Sequence, residues 1–513
     1  MIAWLQRNRT SVRLAFILRL FAMATGALLS LLWTRLLLRA MGDAAYGIFL
    51  TFQSVTRLGG LGDFGISGAV GLKAGQMLGR SEDENLRKLL ASARSVFLLI
   101  AAILFFVLAA LSPWLPQWLH FRNDIAGIGS LPLLFVWGGV SVTVFVLSGY
   151  FNNLNYAHGT VTWPIWPGVF IGQTLAPLLH WQLAKMHEPL WVQNLPYVGS
   201  TLFMSWLAWR MLKWSHPWLG DLRPLRLDPV LVKMLMATSG WAYLSSLGSA
   251  VYFNTDRLVL NAGFGPDVVP KYNANYTAVG YAVILICSAS FVSLPKLTQW
   301  ISSVHEADRR RALAEAQRLN IFQILLGCGA ALGYLALNDF FVKHWLGAKY
   351  QGPLAWQIAF ACNLVVTVGG DAGIVIASRC GESGMKKLGL AVGGTGLLNL
   401  ALSLVSMKFG SITGIAAATV IAQSVLSISL GYVACRFLKL SLIRWTVKSW
   451  LLPLAIVFAA VGLKVIFSGQ DLPHIGVLLA CYAGLFVVAA LLTGMDGKML
   501  RSEIATLRAM LKI

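Results

Sequence analysis

The chain has 513 residues, of which 57% are hydrophobic and only 12% charged, compared with roughly 25% charged residues in a typical soluble protein. This composition excludes a soluble globular protein, because so much apolar surface has to face lipid. The formal net charge of +21 would indicate nucleic-acid binding in a soluble protein, but the enrichment of Lys and Arg in cytoplasmic loops of membrane proteins accounts for most of it. We therefore expect membrane lipids, and no nucleic acid, as partners.

A helix needs about 20 mostly apolar residues to cross a bilayer. By this rule the sequence predicts an all-α integral membrane protein with about 14 transmembrane helices. The predicted spans are residues 14–38, 46–72, 89–112, 131–157, 161–183, 189–212, 231–261, 271–297, 318–342, 353–378, 387–407, 411–435, 445–467 and 473–494. The six cysteines show no C-x-x-C spacing, which predicts neither a disulfide framework nor a metal site.

The connections between these spans differ sharply in positive charge. The N-terminus, every second connection and the C-terminal tail hold 28 Lys and Arg residues, while the opposite connections hold 8 and the spans themselves hold five. Because cytoplasmic loops carry the excess of positive charge, both termini are predicted to be cytoplasmic. The 8 residues on the opposite side are Arg39, Arg122, Lys185, Lys271, Lys343, Lys349, Lys408 and Lys464.

A short internal repeat indicates two halves of six helices each. Residues 34–40, followed by Gly42 and Tyr46, resemble residues 256–262, followed by Gly265 and Tyr272. The match aligns the end of span 1 with the end of span 7, six helices later. Because six is an even number, the two spans cross the membrane in the same direction. This predicts a parallel repeat with a substrate site between the halves. The predicted organisation is a first lobe at 1–212, a cytoplasmic linker at 213–230, a second lobe at 231–437, spans 13 and 14 at 438–495, and a cytoplasmic amphipathic tail at 496–513.

Arginines inside the predicted spans are the main candidates for substrate binding, since an Arg at bilayer depth costs at least about 2.5–3.5 kcal/mol unless it faces water or a partner. Arg57 lies about eleven residues, or some 16 Å, from the outer end of its span, too deep to reach either surface. Its alternative role is a structural ion pair with Asp63 or with another helix. For Arg19, Arg35 and Arg257 the alternative is that the side chain extends to the membrane surface. Together the four would line a cavity suited to phosphate or another anion.

Asp63, Asp256 and Asp371 are acidic residues inside the spans, and each has two interpretations: ion coupling or structural pairing. The sequence contains no phosphate-binding loop, no dinucleotide motif and no H-E-x-x-H motif, so that we expect no cofactor and no ATP-driven pump. No outer connection is long enough for a catalytic loop, which favours a transporter over an enzyme.

Several segments resemble the Wzx-type polysaccharide flippases of the multidrug/oligosaccharidyl-lipid/polysaccharide (MOP) exporter superfamily. They are residues 34–49 with Arg39-Ala40-Met41-Gly42-Asp43, residues 62–67, residues 254–258, and Gly265, Tyr272 and Pro295-Lys296-Leu297. The resemblance implies two six-helix lobes in a V that opens to each side in turn, with spans 13 and 14 alongside. In related lipid II flippases cavity arginines engage the pyrophosphate, and Arg19, Arg57 and Arg257 are the nearest counterparts here.

The resemblance also implies a function. A lipid-linked (undecaprenyl-pyrophosphate) oligosaccharide, destined for O-antigen or exopolysaccharide, would move from the cytoplasmic to the periplasmic leaflet of a bacterial inner membrane by alternating access through a cationic central cavity. Polymerase and other polysaccharide-assembly proteins are then possible partners. Two alternatives stay open: a MATE-like drug or organic-ion exporter, for which an acidic cavity is expected, and a membrane polymerase or ligase acting on lipid-linked glycans.

Overall fold

The computed structural model describes residues 12–59, 62, 64–79, 83–121, 125, 128–157, 167–215, 228–288, 290, 297, 300–301, 305–379, 381–467 and 472–493. None of these residues belongs to a β-strand. Nine helices within these ranges are long and apolar enough to cross a membrane. The predicted all-α membrane fold is confirmed.

The helices of the first half overlap the predicted spans. They are α1 (Val12–Met41), α2 (Asp43–Gly59), α3 (Ile66–Gly79), α4 (Asp83–Leu111), the short α5 (Leu115–Trp118), α6 (Leu131–Ala157), a π-helical segment (Gly168–Leu175) continued by α7 (Ala176–Lys185), and α8 (Leu190–Ser215).

The second half is also built from long helices. They are α9 (Pro229–Phe264), α10 (Val268–Cys287), α11 (Glu306–Trp345), a 3-10 turn (Ala348–Tyr350), α12 (Leu354–Ala377), α13 (Gly381–Lys408), α14 (Ile412–Leu438), α15 (Leu442–Thr446) continued by a π-helical segment (Val447–Leu451) and α16 (Leu452–Ile466), and α17 (Leu472–Thr493). Every predicted span overlaps a described helix.

The prediction of one continuous helix over residues 46–72 was wrong. α2 ends at Gly59 and α3 begins at Ile66. Between them, Phe64 and Gly65 have φ angles of 52° and 70°, a left-handed conformation that ends helices and that glycine adopts at little cost. The Phe64 ring packs on Tyr243 with ring centroids 5.2 Å apart. Phe64 and Gly65 therefore form a turn, which the contact of Phe64 with Tyr243 on α9 holds in place.

Contacts group the chain into two compact units. Unit 1 comprises Met1–Ala250 and Leu260–Val269, and unit 2 comprises Val251–Val259 and Pro270–Ile513. Residues 216–227 of the predicted linker and the predicted amphipathic tail at 496–513 lie outside the described residues, so that these two assignments stay predictions.

Unit 1 has its main apolar core between α3, α4 and α6, where Phe97, Leu89, Val70 and Leu154 are completely buried. Asp228 caps the start of α9. Its carboxylate accepts hydrogen bonds from the backbone N–H groups of Val230 and Leu231, at 2.9 and 3.3 Å. In unit 2, α12 is the most buried helix. It packs against α11 and α14, so that its polar residues point into protein and not into lipid.

Close helix packing in unit 2 explains part of the glycine content of the sequence. A Cβ atom at Gly369 would lie 2.3 Å from the backbone oxygen of Ser449, and one at Gly370 would lie 2.2 Å from the hydroxyl oxygen of Ser427. Small residues at helix interfaces are typical of membrane proteins, because backbones can then approach closely. These glycines bring α12 directly against α14 and the second π-helical segment.

Candidate functional site

Arg57 lies in the last turn of α2, and its side chain is exposed. At 1.5 Å per residue it is about 21 Å along the helix from Asp43, the first residue of α2. The helix break just described places Arg57 beside a turn of the chain rather than in the middle of a helix. Asp63, its predicted alternative partner, lies outside the described residues, and their pairing stays a prediction.

Arg35 lies on α1 directly after two residues, Trp33 and Thr34, that tie this helix to its neighbours. The Trp33 Nε1–H group donates to the backbone oxygen of Gln173, in the first π-helical segment, at 2.9 Å. On the other side, the Tyr46 hydroxyl donates to Thr34 Oγ1 at 3.3 Å. The Arg35 side chain is half-buried, and its Nε atom is buried without a hydrogen-bond acceptor among the described residues. Arg19 lies on the same helix, but its side chain is outside the described part.

The third candidate arginine, Arg257, lies on α9 in unit 2 and is half-buried. Its Nη2 atom donates to Asn273 Oδ1, on α10, at 2.6 Å. The preceding residue, Asp256, accepts a hydrogen bond from the Tyr272 hydroxyl at 2.8 Å, and the Thr419 hydroxyl lies 3.1 Å from the same carboxylate oxygen. Asp256 therefore has hydrogen-bond partners on α10 and α14. Because Asp256 is next to Arg257 in sequence, the formal charges of the two residues cancel.

Asp256 and Arg257 border a pocket formed by α9, α10, α12 and α14 within unit 2. The centres of water-sized groups can occupy only about 30 Å³ of it, so that the pocket has room for a few water molecules. Aromatic rings and amide side chains make up most of its wall.

Asp371 lies on α12 away from this pocket. Its Oδ2 atom accepts from Gln323 Nε2, on α11, at 2.7 Å, and from the hydroxyl of Ser290. Gln323 Nε2 also lies 2.9 Å from the Ser290 hydroxyl oxygen. Both of these partners are neutral, so that among the described residues Asp371 is held by hydrogen bonds and not by an ion pair. Structural pairing, one of the two interpretations of Asp371, would therefore consist of these hydrogen bonds.

The structure adds an ion pair that the charge pattern missed. Lys464, predicted to lie in an outer connection, is on the last turns of α16, and its Nζ atom lies 2.8 Å from Asp339 Oδ2 on α11. The same ammonium donates to Gln357 Oε1 and to the backbone oxygen of Leu335, both at 2.6 Å. Counting charges by loop cannot find this contact, because the partner lies 125 residues away in sequence.

The internal repeat seen in the sequence has a structural counterpart. In unit 1 the hydroxyl of Tyr46, on α2, bonds to Thr34, on α1. In unit 2 the hydroxyl of Tyr272, on α10, bonds to Asp256, on α9. The linking glycine has a positive φ in both cases, 80° at position 42 and 89° at position 265. The aligned positions therefore make the same contact in both halves, and an arginine follows the contacted residue each time.

No protein-family model and no curated relative matches the chain. Among solved structures, the lipid II flippase MurJ in an inward closed conformation aligns with 93% of this chain and 98% of its own, at a TM-score of 0.65 and 15% identity. A MATE protein in complex with MaD3S aligns with 85% of this chain and 96% of its own, at a TM-score of 0.57 and 12% identity.

A third similar structure is the outward-facing conformation of a multidrug resistance MATE family transporter of the MOP superfamily. It aligns with 83% of this chain and 96% of its own, at a TM-score of 0.55 and 12% identity. The chain therefore shares, over most of its length, the fold of MurJ and the MATE transporters, whose superfamily is MOP. At these identities the similarity is one of fold.

Proposed function

We propose that the chain is a flippase that carries an undecaprenyl-pyrophosphate-linked oligosaccharide from the cytoplasmic to the periplasmic leaflet of a bacterial inner membrane, by alternating access through a cationic central cavity. The observation that carries the proposal is the fold, which matches a lipid II flippase over 93% of this chain. We further propose that both termini are cytoplasmic, and that the glycan belongs to the Wzx class of substrates, O-antigen or exopolysaccharide.

The physical task of such a protein is to remove the cost of moving hydroxyls and phosphates through hydrocarbon. Arg35 and Arg57 in unit 1, together with Arg19, are our candidates for binding the pyrophosphate, since a guanidinium offers paired donors to phosphate oxygens. The buried Nε atom of Arg35, for which the described residues supply no acceptor, supports this assignment. Arg257 contributes less positive charge, because Asp256 precedes it.

Arg57 tests this assignment directly. Arg57→Ala and Arg57→Glu should abolish complementation of a flippase null strain while the protein inserts at normal levels. Arg57→Lys should retain partial function, because Lys keeps the charge and loses the two-donor geometry. If Arg57 instead pairs with Asp63, Arg57→Ala should lower protein abundance and the double change with Asp63→Ala should restore it, an outcome that would remove Arg57 from the transport site.

A MATE-like exporter of drugs or organic ions is the second candidate, favoured by the MATE structures that share the fold. Such a protein is expected to hold its cargo with carboxylates, and the described acidic groups Asp256 and Asp371 already accept hydrogen bonds from protein side chains. Uptake of a fluorescent organic cation into proteoliposomes separates the two: cation transport without glycan-lipid flipping would overturn our proposal.

A polymerase or ligase acting on the same glycans is separated by lipid analysis. In a null strain, unpolymerised units should stay on the cytoplasmic leaflet if the protein is the flippase, whereas a polymerase defect would leave them on the periplasmic leaflet. In the flippase case, other proteins polymerise the glycan, and polymerase and assembly proteins are partners of this chain.

Coupling to an ion or to the membrane potential is the remaining part of the mechanism. Outward movement of about two negative charges gains roughly 2.3 kcal/mol per charge per 100 mV when the inside is negative. We propose Asp371 as the coupling residue if an ion gradient is used, because its hydrogen-bond partners Ser290 and Gln323 are neutral. If the membrane potential drives transport, collapsing it at equal pH should slow flipping by the wild type. If instead the flipping rate does not depend on the potential, and Asp371→Asn abolishes flipping, the result would favour electroneutral coupling.

A further inference from the structure

Positive charge is concentrated in unit 2 where α14 ends and α15 begins. Arg436, Lys439 and Arg444 are exposed there, and among the described residues their side chains form no ion pair and no hydrogen bond. The sequence offers them no acidic neighbour, because no Asp or Glu occurs between Glu382 and Asp471. We call these three residues the basic corner.

The local structure holds the basic corner together. Lys439 ends α14 in the left-handed conformation, with a φ angle of 55°. Two residues later the Ser441 hydroxyl oxygen caps α15, where it accepts a hydrogen bond from the backbone N–H group of Arg444 at 3.4 Å. Trp445 is buried and packs with Trp450 in the core of unit 2. The chain therefore turns directly from α14 into α15, and the core fixes the position of this turn.

The helix that follows places the basic corner at the level of the lipid head groups. α15, the second π-helical segment and α16 form one apolar run of 25 residues, Leu442–Ile466. At 1.5 Å per residue this run is about 37 Å long, compared with a hydrocarbon thickness of about 30 Å. Its first turn therefore extends beyond the hydrocarbon. At helical spacing along the same run, Ile443, Val447 and Leu451 are 77%, 43% and 56% exposed, so that an apolar stripe begins beside Arg444.

These features select one class of ligand. A soluble anion would pair with the cations but would leave the apolar stripe without a partner. A zwitterionic lipid would cover the stripe, but its head group carries no net charge to attract three cations. An acidic phospholipid matches both features, because its phosphate faces the cations and its acyl chains cover the stripe. Each Lys or Arg close to an anionic lipid surface contributes about five-fold in affinity.

We propose that the basic corner binds the head groups of acidic phospholipids, with Arg436, Lys439 and Arg444 at the phosphate and the apolar stripe against the acyl chains. On the predicted topology these lipids belong to the cytoplasmic leaflet. The site does not depend on the proposed flippase function, because its ligand is a lipid of the surrounding bilayer and not the lipid that is transported.

The test measures lipid binding to the purified full-length protein in nonionic detergent by native mass spectrometry. The probes are phosphatidylglycerol and phosphatidylcholine with identical acyl chains. The wild type should bind phosphatidylglycerol at least about ten-fold more tightly. Arg444→Gln should reduce this affinity about five-fold, and the triple variant with Arg436→Gln and Lys439→Gln at least about ten-fold. Lys448 stays unchanged, because its ammonium donates to the backbone oxygen of Thr493 at 3.2 Å. Affinity for phosphatidylcholine should not change.

The start of α11 provides a matched control on the same predicted side of the membrane. Arg310 and Arg311 are exposed, but each lies 3.2 Å from an acid, Glu306 and Asp308 respectively. The double variant Arg310→Gln with Arg311→Gln should keep its affinity for phosphatidylglycerol within about two-fold, because these charges already have acidic partners. An equal loss in this variant would show that any surface charge suffices and would overturn the proposal.

A charge-preserving variant separates charge from local folding. Arg436→Lys with Arg444→Lys should bind phosphatidylglycerol within about two-fold of the wild type, because the attraction depends on charge. Loss of binding in this variant would overturn the proposal, as would equal affinity of the wild type for the two lipids. Displacement of phosphatidylglycerol by inorganic phosphate alone would assign the basic corner to a soluble anion. Tighter binding of undecaprenyl phosphate, lost in the triple variant, would assign it to the transported lipid, and either result would refute a site for acidic phospholipids.

Discussion

The ion pair between Lys464 and Asp339 should make a large contribution to the stability of unit 2. The two side chains are only 15% and 21% exposed and their charged atoms lie 2.8 Å apart. The network is closed: the ammonium has three acceptors, and the other carboxylate oxygen of Asp339 accepts from Gln357 Nε2 at 2.6 Å. Removing one charge from such a pair leaves the other buried and uncompensated, at about 3–5 kcal/mol.

Because both residues keep some exposure, we take the lower end of this range. Lys464→Met or Asp339→Asn should each lower the free energy of unfolding by about 3 kcal/mol. The shift in Tm per kcal/mol falls with chain length, so that each single variant should melt about 5 °C below the wild type in differential scanning fluorimetry. The double variant should melt close to either single one, since the interaction is lost only once. Lys408→Met, an exposed site, is the control. Additive losses in the double variant, or unchanged melting in the singles, would refute the reasoning.

Three further predictions follow from the topology, the packing and the repeat. A phosphatase fusion at Ala348 should be active and one at Arg310 inactive, and the reverse would overturn the predicted orientation. Gly369→Ala should lower the melting temperature, because its methyl group would clash with a backbone oxygen at 2.3 Å, whereas Gly333→Ala meets nothing within 4 Å and should be neutral or slightly stabilising. Tyr272→Phe should cost about 1–3 kcal/mol of stability, measured by thermal melting, by removing one hydrogen-bond donor from the half-buried Asp256 carboxylate.

The sequence predicted the helices well because one physical requirement dominates them. A segment that crosses the bilayer must be both long and apolar, and all 14 predicted spans overlap described helices. The failure at residues 46–72 has a local cause. Hydropathy does not respond to backbone conformation, so that the left-handed residues at positions 64 and 65 were invisible to it.

The candidate site was predicted only in part. Arg257 and Asp256 were candidates because charge within an apolar segment is conspicuous in a sequence, and the structure places both at one pocket while their role stays a prediction. Asn273 and Asn363 were not found, because an amide carries no charge and its role depends on which neighbours fold against it. The pairing of Asp371 with Gln323 shows the same limit: the partners are 48 residues apart, and the sequence does not reveal which polar side chains meet.

The repeated contact between a tyrosine and the preceding helix also shows where the two halves differ. The aligned residue is Thr34 in unit 1 and Asp256 in unit 2, and each is followed by an arginine. The arginine of unit 1 therefore has no acid beside it in sequence, while that of unit 2 has its charge offset locally. On the proposed function, the positive charge that binds the pyrophosphate comes from Arg35 and Arg57 of unit 1, because Asp256 offsets the charge of Arg257 at the aligned position of unit 2.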